Sequence, residues 1–154
     1  MGQLPHTIMQ KSANKQTLYD RDFNLWISQQ VALLKAGKLN AIDLENLIEE
    51  IEDMGRNNKN ALKSYLLRLL EHLLKLKYWQ AERDRNRNGW ITEINNFRDQ
   101  IELLLETSPS LKNYLKSIYS DRLAKAKNKV KKLFDEPQDA DVTIEQAHDQ
   151  DLFS

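Results

Sequence analysis

The sequence predicts an all-α fold: an antiparallel bundle of four main helices built around one long second helix. Three observations carry this. Apolar residues recur at helical spacing through most of the chain, and no segment alternates with the period of a strand. The 154 residues include only four Gly and three Pro, too few turn-formers for an all-β chain. One apolar stripe, Leu44, Ile48, Ile51, Leu62, Leu66, Leu69 and Leu73, keeps its phase at roughly 100° per residue across some thirty positions.

The first helix is expected from about Tyr19, with Phe23, Trp26, Ile27, Val31 and Leu34 on its apolar face and Gly37 at its C-terminal cap. Asp43 is placed to cap the second helix, and acidic residues crowd its first turns, where they complement the helix dipole. Preservation of phase through Gly55-Arg56-Asn57-Asn58-Lys59 favours one continuous helix from Asp43 to about Trp79 over two helices meeting at a kink. The segment Glu82 to Asn88 is charged and non-periodic and reads as a connection, with Asn88 capping a third helix. That helix carries Trp90, Ile94, Phe97, Ile101, Leu104 and Leu105. Ser108-Pro109 then opens a fourth helix with Leu111, Leu115, Ile118, Tyr119, Leu123, Ala126, Val130 and Leu133, which ends before Pro137.

The expected organisation is a flexible N-terminal arm over residues 1–16, a helical bundle domain over 17–134, and an acidic C-terminal tail over 135–154. The tail is expected to be loose apart from one short helix signalled by Thr143-Ile144-Glu145-Gln146. The predicted core contains Trp26, Leu66, Leu69, Leu73, Ile94, Phe97, Ile101, Leu115 and Ile118.

Composition narrows the functional classes. There is no Cys, which excludes disulfides, thiolate metal sites and Cys nucleophiles. No apolar run reaches the length of a membrane span, and the first residues lack the apolar core of a secretion signal. A cytoplasmic protein with no membrane association is the expectation. The net charge of zero hides blocks. Tyr19 to Gly55 holds eight acidic and three basic residues; Ser108 to Phe134 holds eight basic and one acidic; Asp135 to Ser154 holds seven acidic and no Lys or Arg. Such blocks close on each other or recruit a partner.

Four polar residues are weak candidates for a site: Glu49, Glu50, Glu52 and His72. Stacked carboxylates on a helix can hold a divalent cation. In helix-bundle metal sites, however, the carboxylates point inward and belong to Glu-x-x-His pairs, whereas these lie off the apolar stripe, and Glu71 and His72 are adjacent in sequence. His72, at the stripe's edge, is placed to act as a base or simply to pack. Arg83, Arg85 and Arg87, flanked by Trp79 and Trp90, have the composition of a single-strand grip, weakened by the acids between them. The basic residues of the fourth helix, Lys112, Lys116, Arg122, Lys125, Lys127, Lys129, Lys131 and Lys132, are the best candidates for contact with nucleic acid or a partner. No phosphate-cradling loop, nucleophile elbow or zincin motif is present, so no catalytic residue, metal ligand or cofactor is assigned.

The run Asp43-Leu44-Glu45-Asn46-Leu47-Ile48-Glu49-Glu50-Ile51-Glu52-Asp53-Met54-Gly55, followed by Arg56, resembles the bacterial, mainly cyanobacterial, family known as domain of unknown function twenty-nine. Leu18-Tyr19-Asp20 to Trp26, Leu70 to Lys75 with Tyr78, and the Arg-rich element ending at Trp90 carry the same resemblance, with a weaker echo at Thr143 to Phe153. The resemblance implies an all-helical fold and brings no catalytic residues, since the family has none assigned. The leading functional expectation is a non-enzymatic protein-interaction or regulatory module, docking another protein or a second copy. Nucleic-acid binding through the basic fourth helix is the first alternative, and a metal-dependent enzyme using the acids of the second helix with His72 is the second.

Overall fold

The computed structural model describes residues 16–135 and 137–149. The expected N-terminal arm, save Gln16, and the last five residues lie outside them. The described residues are helical with no strand, and four main helices are present, as the periodicity predicts. They cluster into two compact units, one ending at Asp53 and the other beginning at Met54.

In the first unit, a short helix α1 (Leu18–Arg21) is capped by Thr17, whose side chain accepts from the Asp20 N–H. The expected first helix is broken at Asp22, which leaves helical geometry and caps α2 (Phe23–Lys35) by accepting from the Leu25 N–H. Gly37 ends α2 at φ 71°, in the left-handed region, where a side chain would be strained. The Lys38 N–H donates to the Leu33 carbonyl and the Gly37 N–H to Leu34, a Schellman closure. A 3-10 turn (Leu39–Ala41) leads to Asp43, whose Oδ1 accepts from the Asn46 N–H, the cap expected from sequence.

Helix α3 (Leu44–Tyr78) runs unbroken through Gly55. Residues 54–60 are exposed all round, and the boundary between the units falls at their start. A methyl group at Gly55 would meet nothing within 4 Å. Gly55→Ala is therefore expected to stabilise α3 by about 0.5–1 kcal/mol, the helix-propensity difference, read from thermal or urea melts. A destabilisation would mean that the helix bends there in solution.

In the second unit, α3 from Leu62 onward packs with α4 (Gln80–Thr107), α5 (Leu111–Val130) and the short α6 (Ile144–His148). Leu62, Leu66, Leu69, Leu70, Leu73, Leu74 and Leu76 are buried, with Ile94, Phe97 and Ile101 from α4 and Leu115 from α5. Ile118 is half-buried at the edge of that core.

Three expectations are corrected here. The Glu82–Asn88 segment is not a connection: α4 begins at Gln80, and the break from α3 is the single residue Trp79 at φ −87° and ψ 73°. Gln, Ala, Glu and Arg are good helix formers without needing an apolar face, and Asn86 bonds back to the Glu82 carbonyl and carboxylate at 3.0 and 3.1 Å. The start of α5 lies at Leu111, after a turn over Ser108–Ser110, and Leu133 lies beyond the helix end and is exposed.

The third correction concerns the acidic tail, which is not loose over its described residues. Ala140, Val142 and Ala147 are buried in the core of the second unit. The Asp141 carbonyl accepts from Lys77 Nζ at 2.9 Å, the Tyr78 hydroxyl meets the Asp141 N–H at 3.1 Å, and the Tyr119 hydroxyl donates to the Val142 carbonyl. Thr143 and Gln146 form the reciprocal capping box that opens α6, the short helix expected there.

Candidate functional site

The hairpin of the first unit is built from polar contacts inside and apolar side chains outside. Trp26 and Gln30 are its buried residues. The Trp26 indole N–H donates to Asp43 Oδ2 at 3.0 Å, and Gln30 Oε1 accepts from the Asp43 N–H at 2.7 Å. The Tyr19 hydroxyl donates to the Glu50 carboxylate. That bond, partial desolvation and the negative charges of Glu50, Glu49 and Asp53 push the Tyr19 phenol up to about 12. Tyr19 also meets Trp26 edge to face, with centroids 4.8 Å apart. The pairs 19–50 and 26–43 fix α1–α2 antiparallel to the start of α3.

With Trp26 turned inward, the neighbouring apolar positions face outward. Phe23, Ile27, Val31 and Leu34 lie within about 80° of one another around α2, and all four are exposed. On α3, Leu44, Ile48 and Ile51 are 59%, 47% and 65% exposed, whereas Leu62, on the same stripe, is 0% exposed. Of the twelve exposed large hydrophobic residues among those described, nine fall in the first unit, between Phe23 and Ile51. A monomer rarely leaves so concentrated an apolar set in water. Around α3, Glu45, Glu49 and Glu52 follow Ile48 within about 100° and form an exposed acidic edge to this surface.

The polar candidates read from sequence are dispersed. Glu49 and Glu52 are on that exposed edge, Glu50 is held by Tyr19, and His72 belongs to the other unit. His72 is half-buried; its Nδ1 lies 2.7 Å from the Arg68 carbonyl, and its ring rests 5.6 Å from that of Phe97. Among the described residues, no group of three or more His, Asp or Glu side chains is placed to hold a metal ion.

The bases of α5 fall in two rows. Lys112, Lys116 and Lys127 border one edge of its buried face, and Arg122, Lys125 and Lys129 the other; Lys131 and Lys132 are exposed beyond the helix end. Arg122 pairs with Asp121 at 2.6 Å and holds that carboxyl below its usual range. Lys129 lies 3.2 Å from Glu71 Oε1, off the line of a hydrogen bond, so the contact is an ion pair alone. Trp79 stacks on Trp90 and Phe134, and Arg83 Nη2 donates to the Lys77 carbonyl near the end of α3. Arg83 and the two Trp residues flagged as a nucleic-acid grip thus make internal contacts.

A cleft of about 740 Å³ opens in the second unit between α4, α5 and α6, with a floor of Leu66, Leu69, Ile101, Leu105 and Leu115. Buried Arg98 lines it, its Nε donating to the Ala147 carbonyl and its Nη2 to the Gln146 carbonyl, both at 2.9 Å. Burial pulls the Arg98 pKa down and the charge of Asp149 opposes it; the guanidinium remains charged. His148 also lines the cleft. Desolvation, and then the Arg98 charge, hold its imidazole below the ordinary value, opposed by the negative charge of Glu145. The lining sets Arg98, Lys112 and Lys116 against Glu102, Glu106 and Glu145, so the cleft has no dominant sign of charge. The sequence pattern assigns His148 to a tail and does not single out Arg98; the capping box at Thr143 is the one local signal that this segment is ordered.

The chain matches the family model described as "Domain of unknown function DUF29" over residues 18–153. No curated protein and no solved structure matches it.

Proposed function

Since the chain belongs to the DUF29 family, for which no activity is defined, we propose from its structure that it is a protein-interaction module acting through the apolar surface of the α2–α3 hairpin. The carrying observation is that nine of the twelve exposed large hydrophobics among the described residues fall in the first unit, seven of them on the α2 and α3 rows. Among the described residues the hairpin buries only Trp26 and Gln30, a core whose stability a covering partner would raise. The stripe supplies a second reason. Leu44, Ile48 and Ile51 continue, in phase, the row that is buried from Leu62 onward, which is the pattern of a helix surface made to be packed.

The test compares the full chain with its Ile27→Asp, Ile48→Asp double variant. The wild type is expected to bind a protein from native lysate in stoichiometric amount, or to self-associate in sedimentation. The variant should lose affinity by roughly 30-fold or more, the scale of central interface residues, at unchanged helical circular dichroism. A monomeric wild type that binds nothing, or a folded variant that binds equally well, would overturn the reading.

A further inference from the structure

Resting on this interaction reading, we infer that the hairpin's partner is a basic amphipathic helix of another protein, laid against the exposed apolar residues of α2 and the first turns of α3. The pairs Tyr19–Glu50 and Trp26–Asp43 run α2 antiparallel to the start of α3 and put Phe23 and Ile27 level with Leu44 and Ile48, while Val31 and Leu34 extend the α2 row past the first turn of α3. Two apolar rows on neighbouring helices form the seat for a third helix, which reads them with residues at i, i+3, i+4 and i+7.

Charge then selects among third helices. Glu45, Glu49 and Glu52 stand exposed along the α3 edge, and the segment from Tyr19 to Gly55 carries eight acids against three bases. A helix flanking its apolar stripe with Lys or Arg would place cations against this edge; one flanked by acids would be repelled. A second copy of the chain fits less well. An isologous dimer brings the same patch from both copies into one interface, and with it a second row of these carboxylates. The bases of α5 cannot substitute as the occupant, because that helix has already buried Leu111, Leu115, Ala126 and Val130 in its own unit. Outside the first unit, the exposed large hydrophobics among the described residues are Met54, Leu103 and Leu133.

The experiment uses the full chain and two labelled synthetic helices of about three heptads, with identical Leu at a and d, and Lys or Glu at the flanking positions. In fluorescence anisotropy at low salt, the Lys-flanked helix is expected to bind roughly 10-fold or more tightly than the Glu-flanked one. The gap should narrow sharply at about 1 M salt, where screening is within about 3 Å. The Glu45→Gln, Glu49→Gln, Glu52→Gln variant should lose most of this preference while retaining affinity for the apolar stripe. Ile48→Ser should weaken both helices, and its circular dichroism checks that the hairpin persists. Equal binding of the two helices would overturn the basic-partner inference and leave the interaction reading standing. Binding of neither, with the chain sedimenting as a dimer, would replace the foreign helix by a second copy. Binding of neither by a monomer that also captures nothing would remove both.

Discussion

Replacing Leu73 with Ala is expected to destabilise the second unit by about 2–5 kcal/mol, measured by urea unfolding followed through helical circular dichroism. Leu73 is fully buried in the contiguous core that α3 forms with α4 and α5. Removing its branched end forfeits transfer free energy and leaves a cavity among Leu and Ile side chains that sit in packed helices and relax only in part. Leu103→Ala provides the internal contrast. Leu103 lies on α4 but is 58% exposed, so its truncation should change stability by no more than about 0.5 kcal/mol. A Leu73→Ala loss below that same figure would mean that the observed core is not the one that holds the unit together.

Arg98→Met is the second substitution with a large expected effect, and the effect is local. The guanidinium is the donor for two carbonyls, those of Gln146 and Ala147, at the end of α6. Methionine keeps most of the buried stem and removes every donor. Each orphaned acceptor costs about 1–3 kcal/mol if it stays buried, and the segment can escape that cost by peeling away. Global stability falls less than the sum implies, because the variant no longer desolvates a cation. Amide hydrogen exchange is therefore the right measurement. Exchange from Asp141 to Asp149 should accelerate by roughly one to two orders of magnitude, while the α3 amides around Leu69 hold their protection. Arg98→Lys should fall between, since a single ammonium cannot span two carbonyls with the planar fork of Arg. Unchanged exchange in Arg98→Met would show that Tyr119, Tyr78 and Lys77 suffice to hold the segment.

Much of the architecture is legible in the sequence. The stripe from Leu44 to Leu73 specifies one long helix through Gly55, because 3.6-residue phase is a local property that survives polar interruptions. Asp43, Gly37 and the Thr143–Gln146 box mark ends correctly for the same reason: a cap satisfies backbone groups within four residues of itself. Most of the core of the second unit is likewise readable, since Leu66, Leu69, Leu73, Ile94, Phe97, Ile101 and Leu115 follow the faces of their helices. The misplaced start of α4 shows the limit of periodicity. From Gln80 to Asn88 the helix has no continuous apolar row to announce it, and propensity with the bonds of Asn86 to Glu82 sustains it instead.

Which apolar rows are covered is a tertiary matter. Ile48 and Leu66 occupy the same row of α3, one 47% and the other 2% exposed. Nothing local distinguishes them, because burial depends on what other elements supply. The C-terminal segment likewise joins the core only through long-range contacts. It is anchored by small side chains, Ala140, Val142 and Ala147, and by backbone carbonyls that accept from Lys77, Arg98 and Tyr119. Small residues give a weak hydropathy signal, and a carbonyl is present at every position, so an acidic composition masks an ordered strap. Local phase and capping chemistry establish where the helices form and which way each faces; the meeting of distant elements settles which of those faces remain open to a partner.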